Sequence, residues 1–126
     1  MQKATEKAVK SNKLSEVVVH GMLEKKAQDV IVIDLRKIKH AVADYFVVCS
    51  GNSDTQIDAI ADSVEEEVKK STKQNPWKRE GKQQHEWVLI DYVDVVVHIF
   101  NKDKRKFYGL EELWGDAPIT RISDGN

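Results

Sequence analysis

Residues 87–100, WVLIDYVDVVVHIF, form the most apolar stretch of the chain and are dominated by β-branched and aromatic side chains. Such residues favour extended backbone and a half-buried or buried surface, so this stretch belongs in a sheet. Asp91 and Asp94 interrupt the run at a spacing that suits a turn, which predicts an antiparallel hairpin. A hairpin needs further strands beside it and an apolar cover before it is stable in water.

The remaining elements follow from periodicity. Leu14, Val17, Val18 and Met22 recur at helical spacing among Lys13, Glu16, Glu24, Lys25 and Lys26, predicting an amphipathic first helix that ends near Ala27. Residues 30–35 (VIVIDL) and 45–49 (YFVVC) read as two largely buried strands. Ser53 and Gln56 then form a capping box, each side chain satisfying a backbone N–H. Ile57, Ile60, Ala61, Val64 and Val68 make the apolar stripe of the helix that starts there. Glu65 with Lys69, and Glu66 with Lys70, are spaced for ion pairs on its wet face, and Asn75-Pro76 ends helical structure. A last helical segment carries Phe107, Leu110, Leu113 and Trp114 on one side, with Gly115 as its C-terminal cap.

The order is helix, two strands, helix, about three strands, helix. It predicts an α/β (α+β-like) fold in which a mixed sheet of about five strands is covered by about three helices. With 126 residues, 40% of them hydrophobic, and no internal repeat or low-complexity linker, residues 1–126 form a single domain. Residues 1–12 and 118–126 are expected to be flexible ends.

Composition bounds the function. Twenty Lys and Arg against 21 Asp and Glu leave a formal charge of −1, too little positive field to hold a phosphate backbone globally. The single cysteine, Cys49, lies in an apolar run and reads as a core residue in a reducing compartment. No stretch reaches the length of a signal peptide's apolar region or of a membrane span, so a cytoplasmic location away from the membrane is expected.

Catalytic patterns are sparse. There is no phosphate-binding Gly-rich loop, and Gly51-Asn52-Ser53 lacks the second glycine of a nucleophile elbow, leaving a helix cap as the plainer reading. His20, His40, His85 and His98 stand too far apart to grip a metal locally, so neither metal nor cofactor is expected. Asp91 and Asp94 could hold Mg²⁺ for nucleotidyl transfer, or could simply form a turn. His98, within an apolar strand, is expected to be a neutral imidazole, with a surface contact or a catalytic base as the other roles. Lys102, Lys104, Arg105 and Lys106 make a basic patch that either touches RNA or is merely solvated. Trp77, Trp87 and Trp114 suit either an interface or a core.

Three blocks taken together, residues 44–56 (DYFVVCSGNSDTQ), 87–100 and 105–117 (RKFYGLEELWGDA), resemble the ribosomal silencing factor family, also called Iojap-related or RsfS. The likeness spans about residues 30–117 and rests on the strand DVVVHIF followed by FYGLEELWGDA. It implies a nucleotidyltransferase-like topology without that activity, and a homodimer when free. It also implies binding to the large ribosomal subunit through its fourteenth protein, which obstructs small-subunit joining and lowers translation. By position in these motifs, Trp87, Asp91, Asp94, His98 and Tyr108 contribute to the ribosomal-protein contact, with Arg105 and Glu111 at its rim. A minor ribosomal RNA contact through the patch at 102–106 would accompany it. The alternative is a Mg²⁺-dependent nucleotidyltransferase-like enzyme using Asp91 and Asp94. Val93 departs from the family, where glycine is usual in the turn; a β-branched residue disfavours φ > 0, so a locally different turn is expected.

Overall fold

The computed structural model describes residues 2–81, 86–105 and 109–122, with backbone alone for 2–9. In chain order these are α1 (Gln2–Glu24), β1 (Gln28–Asp34), β2 (Tyr45–Gly51), α2 (Asp54–Thr72), β3 (Lys78–Gly81), β4 (Trp87–Asp91), β5 (Val95–Asn101), α3 (Leu110–Leu113) and β6 (Ile119–Arg121). All the strands form one mixed sheet in the order β3-β4-β5-β2-β1-β6. At its centre β2 and β5 run parallel, Tyr45 opposite Val95 through Gly51 opposite Asn101; every other pairing is antiparallel. The central position explains why these two strands carry near-continuous apolar runs, since both of their faces are covered.

The sheet has one strand more than the sequence predicts. It is β6, whose Ile31–Arg121, Val32–Thr120 and Ile33–Ile119 pairings place part of the expected flexible tail in the sheet. At the other terminus α1 begins at Gln2, and Ser11 within it is buried.

One face of the sheet is sealed by α1 and α2. Leu14, Val18 and Met22 of α1 and the whole predicted stripe of α2 pack with Val47, Cys49, Val95, Val97 and Ile99 into a continuous core. Burial pushes the Cys49 thiol far above its usual range, so it stays an unreactive thiol. The two helices approach closely at Gly21, where an added Cβ would lie 2.9 Å from the Val64 Cα. The Ser63 hydroxyl donates to the Gly21 carbonyl at 2.8 Å across the same contact. Gly21→Ala therefore forces a methyl group against the Val64 backbone and is expected to cost about 1–3 kcal/mol in chemical denaturation, despite alanine's better helix propensity.

The capping box forms as the sequence suggests. Ser53 Oγ accepts from the Gln56 N–H at 3.1 Å, and Gln56 Oε1 accepts from the Asn52 N–H at 2.6 Å. Gln56 Nε2 also donates to the carbonyls of Lys25 and Lys26, fastening the end of α1 to the start of α2. On the wet face, the expected Glu65–Lys69 pairing gives way to a guanidinium from β3. Arg79 bonds Glu65 at 2.7 Å and Asp62 at 2.9 Å, while Lys69 donates to Asn75. A planar guanidinium spanning two carboxylates outcompetes a flexible ammonium for the same oxygen. The other expected pair, Glu66 with Lys70, is likewise replaced, because Lys70 reaches Glu67 at 3.4 Å.

Candidate docking face

The second face of the sheet has no long helix over it. Alternation along β4 and β5 points Trp87 and Leu89, and Val96, His98 and Phe100, to this side. They meet Phe46 and Val48 of β2 and Ile31 and Ile33 of β1. Residues 36–44 and the single turn of α3 lie over part of this face. They leave Trp87, Leu89, Leu110 and Trp114 only partly buried. Leu110 and Trp114, four apart, pack against the cluster; Leu113, expected beside them, is instead 70% exposed.

The rings form a connected layer. Trp87 stacks on Phe100 with centroids 5.1 Å apart; His98 meets Phe46 edge-on at 4.6 Å, and Phe46 meets Trp114 edge-on at 5.7 Å. Trp87 Nε1 donates to His98 Nδ1 at 3.0 Å. Because an indole nitrogen can only donate, Nδ1 is the acceptor and the imidazole proton sits on Nε2. His98 is 3% exposed, and burial lowers its pKa to about 3, so the ring is neutral, as expected for a histidine in an apolar strand. The partner it takes, however, is the tryptophan rather than the backbone. Buried behind Trp87, it sets the angle of the indole instead of offering a surface of its own.

Asp91 and Asp94 lie at the hairpin end of this face, both half-buried. Asp91 Oδ1 accepts from the Val93 N–H at 2.7 Å, and the Asp94 N–H donates to the Tyr92 carbonyl at 2.9 Å. The Asp94 carbonyl in turn accepts from the N–H groups of Asp44 and Tyr45 at the start of β2. Between the two aspartates Val93 has φ +74°, so the turn keeps the conformation that suits glycine and the β-branched residue bears the strain. The side chain is exposed and loses little packing on removal. Val93→Gly is therefore expected to stabilise the fold by about 1 kcal/mol, the relieved strain exceeding the added chain entropy, as a shift in the denaturation midpoint would register.

At the opposite end of β5, Arg105 is only 8% exposed. Its guanidinium donates to Glu111 Oε1 at 2.8 Å, to the Asp29 carbonyl and to Ser50 Oγ at 3.0 Å, joining α3 to β1 and β2. Glu111 is half-buried and is also 3.9 Å from Arg121. Tyr108, Phe107, Lys106 and His85 lie outside the described residues. Trp87, Asp91, Asp94 and Glu111 thus present surface, while His98 and Arg105 brace them from within.

One feature of this face was missed by sequence reasoning. Leu89 lies beside Trp87, and with Glu80 and Gly81 they line a depression of about 260 Å³. Strict alternation along β4 contained that signal. Trp77, 69% exposed and with Lys78 Nζ 4.9 Å from its ring centre, is tied to the same edge by its N–H to the Asp91 carbonyl at 2.7 Å.

The sequence pattern of the family described as "Ribosomal silencing factor during starvation" matches residues 8–126. The chain belongs to the ribosomal silencing factor family. The ribosomal silencing factor of Bacillus subtilis is 45% identical over 102 residues, 81% of this chain and 85% of that protein. A mouse relative named "Mitochondrial assembly of ribosomal large subunit protein 1" is 29% identical over 79% of this chain and 44% of its own length. The crystal structure of a Chromobacterium violaceum protein superposes with a TM-score of 0.76 at 28% identity, covering 91% of this chain and 95% of that one. Membership of the silencing factors supports a ribosome-associated regulator of translation. Among the described residues, no three His, Cys, Asp or Glu side chains gather in a metal-binding group, and no helix is long and apolar enough to cross a membrane.

Proposed function

We propose that the partly covered face of the sheet docks on the fourteenth protein of the large ribosomal subunit and so prevents the small subunit from joining. The observation that carries this reading is Trp87, a half-exposed indole held at a fixed angle by His98 and Phe100, with Asp91 and Asp94 beyond it on the same side of the hairpin. A rigid aromatic anchor supplies desolvated area at little entropic cost, and flanking carboxylates steer and orient a basic partner. Glu111, and Tyr108 by its place in the motif, extend the contact toward α3, with Arg105 as its brace. The name of the mouse relative supports the large subunit as the partner.

Silencing of this kind needs no covalent step. An occupied joining surface excludes the small subunit by volume, so inhibition follows occupancy and saturates with factor concentration. The cytoplasmic location, the homodimer of the free protein and a minor RNA contact belong to the same reading. Purified chain is expected to retain large subunits on a column and to lose them when the fourteenth protein is omitted from reconstituted particles. Equal retention of both particles would refute the assignment of that partner.

A further inference from the structure

The carboxyl ends of the parallel strands β2 and β5 open into a hollow of about 260 Å³ lined by Asp29, Ser50, Lys102, Arg105, Glu111 and Arg121. Crevices at such ends are where open α/β sheets most often take ligands, because the strand termini leave backbone and side chains converging without a covering element. Three cations face two carboxylates here, an excess of one positive charge in a chain whose formal total is −1.

Arg105 gives the hollow its specificity. Its side chain is 9% exposed and rigidly held: Nε donates to Glu111, and Nη1 to Ser50 and to the Asp29 carbonyl. Its Nη2, also buried, has no hydrogen-bond partner among the described residues. An orphaned guanidinium nitrogen costs desolvation energy that a native fold rarely leaves uncompensated, and it marks a place where an ion completes the set. Ser50 Oγ, accepting from Arg105, still has its own hydrogen to give. Lys102 and Arg121 are exposed at the mouth, where Arg121 lies 3.9 Å from Glu111.

We infer that this hollow binds a phosphate group carried by a small molecule, with Arg105 and Ser50 at its floor and Lys102 and Arg121 at its rim. Tetrahedral phosphate matches several N–H and O–H donors arriving from different directions, and its charge answers the local excess. The described lining of the hollow is charged and polar, which suits the phosphate itself as the recognised group.

The test is amide-resolved NMR titration of the whole protein with inorganic phosphate at constant ionic strength, with chloride as the control and a short single-stranded RNA as a separate arm. Saturable shifts at Ser50, Lys102, Arg105 and Arg121 in the millimolar range or tighter are expected. Lys102→Ala combined with Arg121→Ala, both on exposed positions that leave the Arg105 ties intact, is expected to weaken binding about tenfold or more while the remaining spectrum stays folded. Absence of saturation, equal affinity in the double variant, or a response to RNA with none to phosphate would each overturn the inference.

Discussion

Trp87→Ala is expected to weaken binding to the large subunit by about 30-fold or more, the loss of an interface anchor worth at least 2 kcal/mol. The indole is half-buried, so removal also costs the stack on Phe100 and the bond to His98. Circular dichroism and a denaturation curve must accompany the measurement. Trp87→Phe separates the two effects, because it keeps a ring over Phe100 while deleting the Nε1 donor. It is expected to fold well and to recover part of the affinity. Cosedimentation with large subunits over a concentration series reads both variants; wild-type affinity in a folded Trp87→Ala would remove Trp87 from the contact.

Acid is expected to unfold this protein through His98. Its folded-state pKa, lowered to about 3 by burial against a usual value of 6.5, means that the unfolded chain binds the proton first as pH falls. Stability contributed by the neutral ring is complete above about pH 6.5 and is lost progressively down to about pH 3. At 1.36 kcal/mol per pH unit, the loss reaches about 3 kcal/mol near pH 4.5, with carboxylate contributions superimposed. His98→Phe keeps a ring of similar size in the layer and cannot take the proton. Its stability is expected to fall less between pH 7.5 and about pH 4.5 than wild type's, even if it is less stable at neutral pH. Parallel slopes in urea denaturation at several pH values would show that His98 titrates normally.

The parts of this fold that could be read from sequence are those set by local rules. Period-two alternation in residues 87–100 and the Ser53–Gln56 box leave their elements little choice, and the hairpin and the α2 cap stand where those rules place them. β6 has only Ile119, Thr120 and Arg121, a run too short to read as a strand although Ile and Thr favour one, so its place in the sheet comes from β1 offering an open edge. Val93 shows the same override at a single residue: intrinsic preference disfavours φ > 0, yet the two-residue connection between Tyr92 and Val95 demands it.

The site divides the same way. Trp87 is singled out by its motif, and the side it faces by alternation, but the support beneath it depends on contacts distant in sequence. Arg105 sits in a run of basic residues that reads as solvated surface; only the fold reveals that it turns inward to Ser50 and the Asp29 carbonyl, 55 and 76 residues away. His98 likewise looks from sequence like a core residue or a contact. It is buried, and it is also the acceptor for the Trp87 indole N–H.

Light scattering of subunit association in the presence of increasing factor tests the central claim most directly. Preincubating large subunits with this protein is expected to abolish the association signal in a saturable way, and Trp87→Ala is expected to shift the curve to higher concentration. Unchanged association at saturating wild-type protein would contradict the account.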